Sequence, residues 1–521
     1  MARTPLASIL QKAYAAAHAE MEKPAGTGQV DILDNHLPGM SPVYLKEKNP
    51  VPNSKGKENS CPKIVIIGAG LAGLTCAYRL KQAGIPSIIY EATGRPGGRC
   101  WTKRGVFREG QMIERGGELI DSCHKEIQEL AKELGLELDD LIEGEDIGTQ
   151  PFYFIDGHPY TFKEATKDFL QVYPKLQRDL REAGETTLYN QYTKRGFELD
   201  HMSIVEYINE VVPGGIHSRF GKLLAIAYTI ENGAEACKQS SLNLLYSLGF
   251  SQKGAFQIFG DSDERFHIKG GNDQLPALLA KELSGQINYH SELIKIEQDN
   301  QGVIKLIFRN DEKEWRVLAD KVIITIPFRI LKTIDYSSAK FRPLKRIAIE
   351  ELGMGVNTKH HMQFFERFWR NIGNNGETFS DTEYQNTFEV TRGQTGTSGI
   401  LVDYTGGDMA AKRFAVTKKK LKEMTKNFLD RLESVLPGSV ANWNGLSTVD
   451  HWLNNKWTKG SYSYWKVGQC TKFAGIEGER EGNIFFAGEH TSIRYQGFLN
   501  GAVETGERAA QEIINDCCKE K

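Results

Sequence analysis

Three glycines and one acid between residues 68 and 91 stand at a spacing that could do chemistry. An apolar run leads into Gly68, Gly70 and Gly73, and Glu91 ends a second apolar run 18 residues after Gly73. Dinucleotide folds place their acid about 20 residues beyond such glycines. The glycines allow a tight turn and close approach of a pyrophosphate to a helix N-terminus, and the acid accepts hydrogen bonds from ribose hydroxyls. The stretch therefore predicts a dinucleotide site, for FAD or for NAD.

A second glycine-rich turn separates these two cofactors. The segment EATGRPGGRCWT continues directly from Glu91 and carries Gly98 and Arg99. Backbone N–H groups and a guanidinium at this point would lie along the pyrophosphate and ribityl chain of a long, extended ligand. The second turn therefore favours FAD.

Five further motifs, in order along the chain, resemble the flavin-dependent amine oxidase family, which includes monoamine, polyamine and L-amino-acid oxidases. They are IERGGELID (113–121), VIITIP (322–327), GVNTKHHMQFFERFW (355–369), WTKGSYSYW (457–465) and FFAGEHTSIRYQGFLNGAVETGERAA (485–510). The resemblance spans nearly the whole chain from Cys61 onward. The RGGELID motif and the helical N-terminal arm look most similar to bacterial L-amino-acid oxidases.

The resemblance implies further contacts to FAD. The segment after the FFAGE strand would face the ribityl chain and pyrimidine end of the flavin, and the strand ELIKI would contact adenosine through its backbone. The residues concerned are Gly488, Glu489, Thr491, Ile294 and Trp457.

Ser461 stands where some members of the family carry a cysteine that bonds covalently to the flavin. A serine cannot form that thioether. The resemblance therefore implies noncovalently bound FAD.

Three residues take catalytic roles by the same resemblance. Lys359 would hold a water against flavin N5, where O2 meets the reduced ring, and its ammonium would favour the negative charge of oxygen reduction. Tyr462 and Phe498 would form an aromatic cage that steers the substrate C–H bond toward N5 and favours a neutral amine. Adjacent His360 and His361 point to opposite faces of a strand, which predicts one buried and one exposed histidine and no metal site.

Recognition of a substrate carboxylate is the point at which this sequence departs from the family. Venom-type L-amino-acid oxidases carry an arginine just after this glycine turn, where Leu119 stands here. A donor from another segment must then serve, and the candidates are Arg494 and Tyr495, which adjoin the cage segment, ahead of Arg115. If the substrate is instead a mono- or polyamine, Glu118 beside this turn could bind its distal cation. The predicted substrate contacts are Glu118, Arg494, Tyr495 and Gly497.

These residues predict FAD-dependent oxidative deamination of L-amino acids to 2-oxo acids, with ammonia and H2O2 as the other products. The expected partners are a small amino acid and O2. A mono- or polyamine oxidase is the first alternative. A non-catalytic FAD-binding scaffold is the second.

The elements that must position these residues predict an α/β protein. A discontinuous Rossmann-like FAD-binding domain is expected at 61–120, 265–335 and 455–516, and a mixed β-sheet substrate domain with a helical insertion at 121–264 and 336–454. An N-terminal helix and arm (1–60) and a short tail (517–521) complete the chain. Three β patterns are expected at 287–299, 302–310 and 315–328, the last as one continuous strand.

Composition excludes several function classes. The formal net charge is -2, which offers no footprint for nucleic acid. The eight cysteines are scattered without zinc spacing, which is typical of free thiols in a reducing compartment. The N-terminus has the pattern of an amphipathic helix and lacks an apolar signal region, and no apolar run reaches the roughly 18 residues of a membrane helix. A cytoplasmic homo-oligomer without membrane contact is therefore expected.

Overall fold

The structure is a computed structural model that describes residues 62–184, 186–251, 256–413 and 418–519. The predicted N-terminal helix and arm lie outside these residues. The strands are β1 (Ile64–Ile67), β2 (Ser87–Tyr90), β3 (Thr102–Lys103), β4 (Ile113–Glu114), β5 (Leu138–Asp140), β6 (Gln150–Ile155), β7 (His158–Tyr160), β8 (Phe266–Ile268), β9 (Ile287–Asn288), β10 (Glu292–Gln298), β11 (Ile304–Arg309), β12 (Glu314–Ala319), β13 (Lys321–Ile324), β14 (Asp335–Ser338), β15 (Gly353–Met354), β16 (Asn357–Phe364), β17 (Asn374–Ser380), β18 (Asn386–Glu389), β19 (Gly399–Gly406), β20 (Trp443–His451), β21 (Ser463–Tyr464) and β22 (Ile484–Phe486).

Helices surround these strands. They are α1 (Leu71–Gln82), α2 (Lys125–Glu133), α3 (Phe162–Ala183), α4 (Lys194–Asp200), α5 (Ile204–Val211), α6 (Arg219–Asn232), α7 (Leu242–Leu248), α8 (Gln274–Glu282), α9 (Phe328–Leu331), α10 (Pro343–Glu351), α11 (Gly407–Lys412), α12 (Lys418–Leu432), α13 (Ser439–Asn442), α14 (Gln469–Phe473) and α15 (Leu499–Lys519). The mixture of helices with parallel and mixed sheets confirms the predicted α/β class.

A five-stranded parallel sheet carries the glycine motif. Its order is β22-β13-β1-β2-β9. The strands β1, β13 and β22 are buried along their whole length and, apart from Lys321 at the start of β13, apolar, because helices cover both faces of a parallel sheet. On one face α1 packs along α15. The sheet thus takes its strands from three separate stretches of the chain.

A seven-stranded mixed sheet, in the order β20-β16-β19-β18-β17-β6-β7, forms the second layer. Its last two strands come from the stretch predicted to be a helical insertion, so that stretch contributes β6 and β7 as well as helices. One face of the sheet packs on α12 through Met362, Phe364 and Phe428. The opposite face aligns Lys359, Tyr404 and other residues of neighbouring strands beside the parallel sheet.

Two expectations about single strands were wrong. The predicted continuous strand at 315–328 is two strands, β12 and β13, which belong to different sheets. The chain changes sheet at Asp320, whose carboxylate accepts a hydrogen bond from the Lys63 N–H at 2.8 Å. His360 and His361 are both fully buried, because β16 lies inside its sheet and both of its faces are covered.

Two further features concern membrane helices and cysteines. Within the described ranges, no helix is long and apolar enough to cross a membrane. The cysteines of these ranges are free thiols.

Candidate active site

A cavity of about 530 Å³ opens at the carboxyl ends of the parallel strands. Its wall includes residues that directly follow β1, β2, β13 and β22, which is where open α/β sheets bind ligands. The predicted site residues on this wall are Gly68, Gly70, Glu91, Gly98, Arg99, Ile294, Trp457, Tyr462, Gly488, Glu489, Gly497 and Phe498. The predicted site residues that do not lie on it are Gly73, Glu118, Lys359, Thr491, Arg494 and Tyr495.

The glycine turn brings a helix N-terminus to this cavity. Gly68 has a φ of +104°, a conformation that favours glycine. A β-carbon at Gly73 would lie 2.0 Å from the Gly68 carbonyl oxygen, so glycine at 73 is what lets α1 approach β1. A β-carbon at Gly70 would meet nothing within 4 Å. Gly73 therefore packs behind the turn, Gly68 allows the turn itself, and Gly70 leaves room for a pyrophosphate at the start of α1.

Glu91 is anchored at the end of β2. One carboxylate oxygen accepts from the Ala69 N–H at 2.7 Å, and the other accepts from Thr93, at 2.8 Å from its N–H and 2.7 Å from its hydroxyl. The residue is 9% exposed and lies on the cavity wall. A fixed carboxylate has further lone pairs for a ribose hydroxyl, as predicted for this acid.

A buried ion pair joins the second glycine-rich turn, which carries Arg99, to the FFAGE motif, which carries Glu489. The Arg99 guanidinium donates to Glu489 at 2.8 Å and to the Ser461 carbonyl at 2.9 Å. Glu489 also accepts from the Ser463 hydroxyl and from the Gly497 N–H, both at 2.7 Å. Burial alone would raise the pKa of the Glu489 carboxyl, but Arg99 and these donors hold that pKa below its usual value.

Thr491 lies just behind the wall. Its hydroxyl donates to the Gly488 carbonyl at 2.9 Å, and it is 3% exposed. Thr491 therefore supports the turn after β22, and the turn itself provides the cavity surface.

The two predicted cage residues line the same cavity, and each has a polar neighbour that sequence reasoning missed. The Tyr462 hydroxyl lies 2.7 Å from the Tyr404 hydroxyl and 2.7 Å from the Glu231 carbonyl. The His124 ring packs on Phe498 with 4.8 Å between centroids. No motif marks these neighbours, because each contact joins residues far apart in the sequence.

His124 is a neutral imidazole with an assigned tautomer. Its Nδ1 accepts from the Asp121 N–H at 2.9 Å, so Nε2 carries the hydrogen and points toward the Asp121 carboxylate, 3.5 Å away. Burial lowers the pKa of His124 to about 3. Asp121, Cys123 and His124 place potential ligand atoms within 4.8 Å of one another, but a protonated Nε2 is a donor and does not bind a metal.

Lys359 lies among three oxygen acceptors. Its ammonium donates to the Glu118 carboxylate at 2.5 Å, to the Gly116 carbonyl at 2.9 Å and to the Glu114 carbonyl at 3.2 Å. An ammonium has three N–H donors, so this arrangement occupies all of them. The structure thus brings Glu118, predicted to bind substrate, against Lys359, predicted to hold a water.

The three residues nominated to bind a substrate carboxylate lie away from the cavity wall. Arg115 pairs with Asp450 at 2.6 Å and stacks over Trp101 at 3.5 Å. The Tyr495 ring packs edge-on against His124, and Arg494 precedes it in the same turn. No residue of this set reaches the surface beside Tyr462 and Phe498.

Buried carboxyl groups cluster around Glu264, off the cavity wall. Burial and then the nearby carboxylates of Glu231, Asp121 and Glu377 raise the pKa of Glu264 to about 8. Burial also raises the pKa of Glu377 to about 7. Glu231 contacts the cage residue Tyr462 through its backbone carbonyl, not through its carboxylate.

The family model for flavin-containing amine oxidoreductases matches residues 71–514, which is most of the chain. The chain belongs to the flavin-containing amine oxidoreductase family. This amine oxidoreductase is therefore a flavoprotein, and its cofactor is FAD.

Several relatives cover most of the protein. The chain is 28% identical over 485 residues to the putative L-amino-acid oxidase YobN of Bacillus subtilis, covering 86% of this chain and 94% of the relative. It is 25% identical over 472 residues to an L-amino-acid oxidase of Daboia russelii (88% and 90% covered). It is also 25% identical over 466 residues to a flavin-containing amine oxidase of Oncorhynchus mykiss (87% and 85% covered).

Two solved structures share the fold. A double mutant of putrescine oxidase redesigned in its cofactor binding has a TM-score of 0.75 and 19% identity, covering 87% of this chain and 99% of that one. Cyclohexylamine oxidase from Brevibacterium oxydans has a TM-score of 0.74 and 20% identity, covering 88% and 99%. At these identities the likeness concerns the fold alone.

The residues of the cavity fit FAD. The helix N-terminus at Gly70 and the guanidinium of Arg99 suit a pyrophosphate, and Glu91 suits a ribose. The adenosine end would lie along Ile294, and the flavin end along Trp457 and the turn at Gly488. The cavity thus offers donors and acceptors in the order that an extended dinucleotide needs.

Replacing Glu489 by Gln should destabilise the protein through its buried ion pair. The Arg99 side chain is 21% exposed, so we expect the free energy of unfolding to fall by about 2 kcal/mol, below the loss for a fully buried pair. Equilibrium urea unfolding measures this change. The matched control is Glu479→Gln, whose partner Arg342 is 50% exposed, and we expect a change below about 1 kcal/mol there. Equal losses in both variants would contradict the conclusion that the Arg99–Glu489 pair stabilises the protein more than the exposed Arg342–Glu479 pair does.

Noncovalent FAD is a prediction from Ser461, which lines the cavity and donates to Asn357 at 2.6 Å. Acid precipitation should release all of the yellow chromophore into the supernatant. Ser461→Ala should release it equally, because no flavin bond is lost. Colour that stays on the denatured pellet would show a covalent linkage.

Proposed function

We propose that this amine oxidoreductase deaminates L-amino acids oxidatively, giving 2-oxo acids, ammonia and H2O2. The observation that carries the proposal is that one cavity contains both the FAD motif residues and the aromatic pair Tyr462 and Phe498. Relatives named L-amino-acid oxidase, covering most of the chain, support the amino-acid substrate.

The residues around the cage have a direct role in this reaction. When bound, FAD would supply the redox chemistry, taking one hydride equivalent (two electrons and a proton) from the amine-bearing carbon and returning the two electrons to O2, which becomes H2O2. Tyr462 and Phe498 present apolar ring faces, which exclude water and disfavour the ammonium form of the substrate. A neutral amine is then the reactive form, and water hydrolyses the resulting imine after the oxidation step.

Lys359 supplies a fixed positive charge beside the cavity in this proposal. Its partner Glu118 and two backbone carbonyls hold the ammonium, and Gly117, between them in sequence, lies on the cavity wall. A positive charge at this place favours steps in which negative charge develops. Oxygen reduction is such a step.

Lys359→Met should slow reoxidation of the reduced enzyme by O2 at least tenfold more than it slows anaerobic reduction by substrate. Stopped-flow absorbance measures both rates. The double variant Lys359→Met/Glu118→Gln removes the carboxylate left unpaired and should show the same selective loss.

The matched control is Lys321→Met, which removes another buried, ion-paired lysine. Lys321 is the first residue of β13, so it lies at the end of that strand away from the cavity. It should leave both half-reactions unchanged. Equal slowing of both half-reactions by Lys359→Met would rule out the oxidative role.

An amine oxidase without carboxylate recognition is the second candidate. The nominated donors Arg115, Arg494 and Tyr495 lie off the cavity wall. A simple amine needs no cationic donor in the cavity, whereas the carboxylate of an amino acid does.

A peroxide-coupled screen of matched pairs separates the two candidates. The pairs are L-phenylalanine with phenethylamine, L-leucine with isopentylamine and L-lysine with cadaverine. An unpaired buried carboxylate costs several kcal/mol, so the preferred member of each pair should lead by at least tenfold in kcat/KM. We expect the amino acids to lead. Amines in the lead would establish the second candidate, and FAD-loaded protein inert toward all six would indicate a scaffold.

A further inference from the structure

The geometry points to Tyr404 as a positioning residue that fixes the ring of Tyr462 and thereby tunes substrate binding in the aromatic cage. This inference rests on the proposed function only in that the cage receives the substrate. It is independent of whether that substrate is an amino acid or an amine.

The direction of each hydrogen bond follows from chemistry. The Tyr462 hydroxyl lies 2.7 Å from the Glu231 carbonyl, and a carbonyl oxygen can only accept. The single hydroxyl hydrogen of Tyr462 is therefore donated to Glu231. The Tyr404 hydroxyl, 2.7 Å from the Tyr462 oxygen, must then be the donor in their contact.

Both groups that bind the Tyr462 hydroxyl belong to rigid elements. Glu231 lies in the last turn of α6, where the final carbonyls have no partner within the helix. Tyr404 lies in β19, where it faces Lys359 of β16 on one side and Asn386 of β18 on the other. The phenol oxygen is thus held between a helix end and an interior strand.

This two-sided contact restricts the ring of Tyr462. Without it, the ring can turn about its bond to the β-carbon, since that torsion has broad minima. With it, the phenol oxygen, which lies on that torsion axis, is held in place, and the preference of a phenolic O–H for the ring plane favours one orientation of the ring. The hydroxyl hydrogen is also unavailable to the substrate. Tyr462 then offers the substrate its aromatic face, while Tyr404, which is absent from the cavity wall, acts through it.

Kinetics of single and double variants test this arrangement, with L-phenylalanine or phenethylamine, whichever the enzyme oxidises. Tyr404→Phe removes one hydrogen bond and should raise KM about fivefold while kcat changes less than twofold. Tyr462→Phe should raise KM at least as much. Because Tyr404 acts through Tyr462, the double variant should match Tyr462→Phe alone.

Tyr384→Phe is the matched control. Tyr384 is a buried tyrosine of the same layer whose hydroxyl bonds Thr378 at 3.1 Å, away from the cavity. It should leave KM unchanged. Additive effects of the Tyr404 and Tyr462 substitutions would show that Tyr404 contacts the substrate itself and would overturn the inference.

A readout without turnover keeps the inference testable if both compounds are inert. 3-Fluorotyrosine placed at position 462 gives a ¹⁹F resonance that reports the ring. Tyr404→Phe should shift and broaden this resonance, and Tyr384→Phe should leave it in place. An unchanged resonance in Tyr404→Phe would refute the positioning role, whereas inert substrates with a shifted resonance would count only against the proposed function.

Discussion

The buried carboxylate of Glu489 is the constraint on which the cavity depends. It accepts hydrogen bonds from Arg99, from Ser463 and from the Gly497 N–H, which belong to three stretches of the chain. A carboxylate in this position without such donors would cost several kcal/mol, so the three stretches must converge wherever the chain is folded. Ser463 follows Tyr462 and Gly497 precedes Phe498, so the same carboxylate also fixes the backbone of both cage residues.

The cage combines apolar faces toward the cavity with polar groups behind them. Tyr462 is bonded by the second sheet and by the end of α6, and Phe498 packs on His124, whose tautomer is set by Asp121. Fixed rings need such support, because an apolar contact alone has no preferred direction. The polar groups behind the cage therefore serve mainly to hold the protein's own side chains in place.

Local rules were sufficient for the glycine motif. The strands Ile64–Ile67 and Ser87–Tyr90 coincide with the two apolar runs, and α1 begins at the glycines between them, because turn sterics and apolar runs determine these elements within a few residues. The family resemblance then predicted cofactor residues, most of which line the cavity. Gly73 and Thr491, predicted from the same motifs, lie one layer behind the cavity wall, since sequence cannot separate a wall residue from its support.

Contacts between distant segments were beyond sequence reasoning. Lys359 and Glu118 are 241 residues apart, and Tyr404 and Tyr462 are 58 apart, without a shared motif. The burial of both His360 and His361 depends on the place of β16 inside its sheet, and strand order is a property of the whole fold. The proposed domain boundaries depend on the same long-range pairings.

The three-part origin of the parallel sheet has a consequence for biogenesis. Ile64 pairs with Lys321, and Val322 pairs with Ile484. The central strands can therefore complete their pairing only after partners hundreds of residues further along the chain have been synthesised. At a translation rate of about 5–20 residues per second, β1 spends many seconds exposed on the ribosome before its sheet can close. β1 pairs on one side with β2, which emerges soon after it, so its apolar sequence IVII keeps one unpaired edge until β13 is made. The nascent chain therefore exposes an apolar strand edge that the finished, well-covered fold does not show.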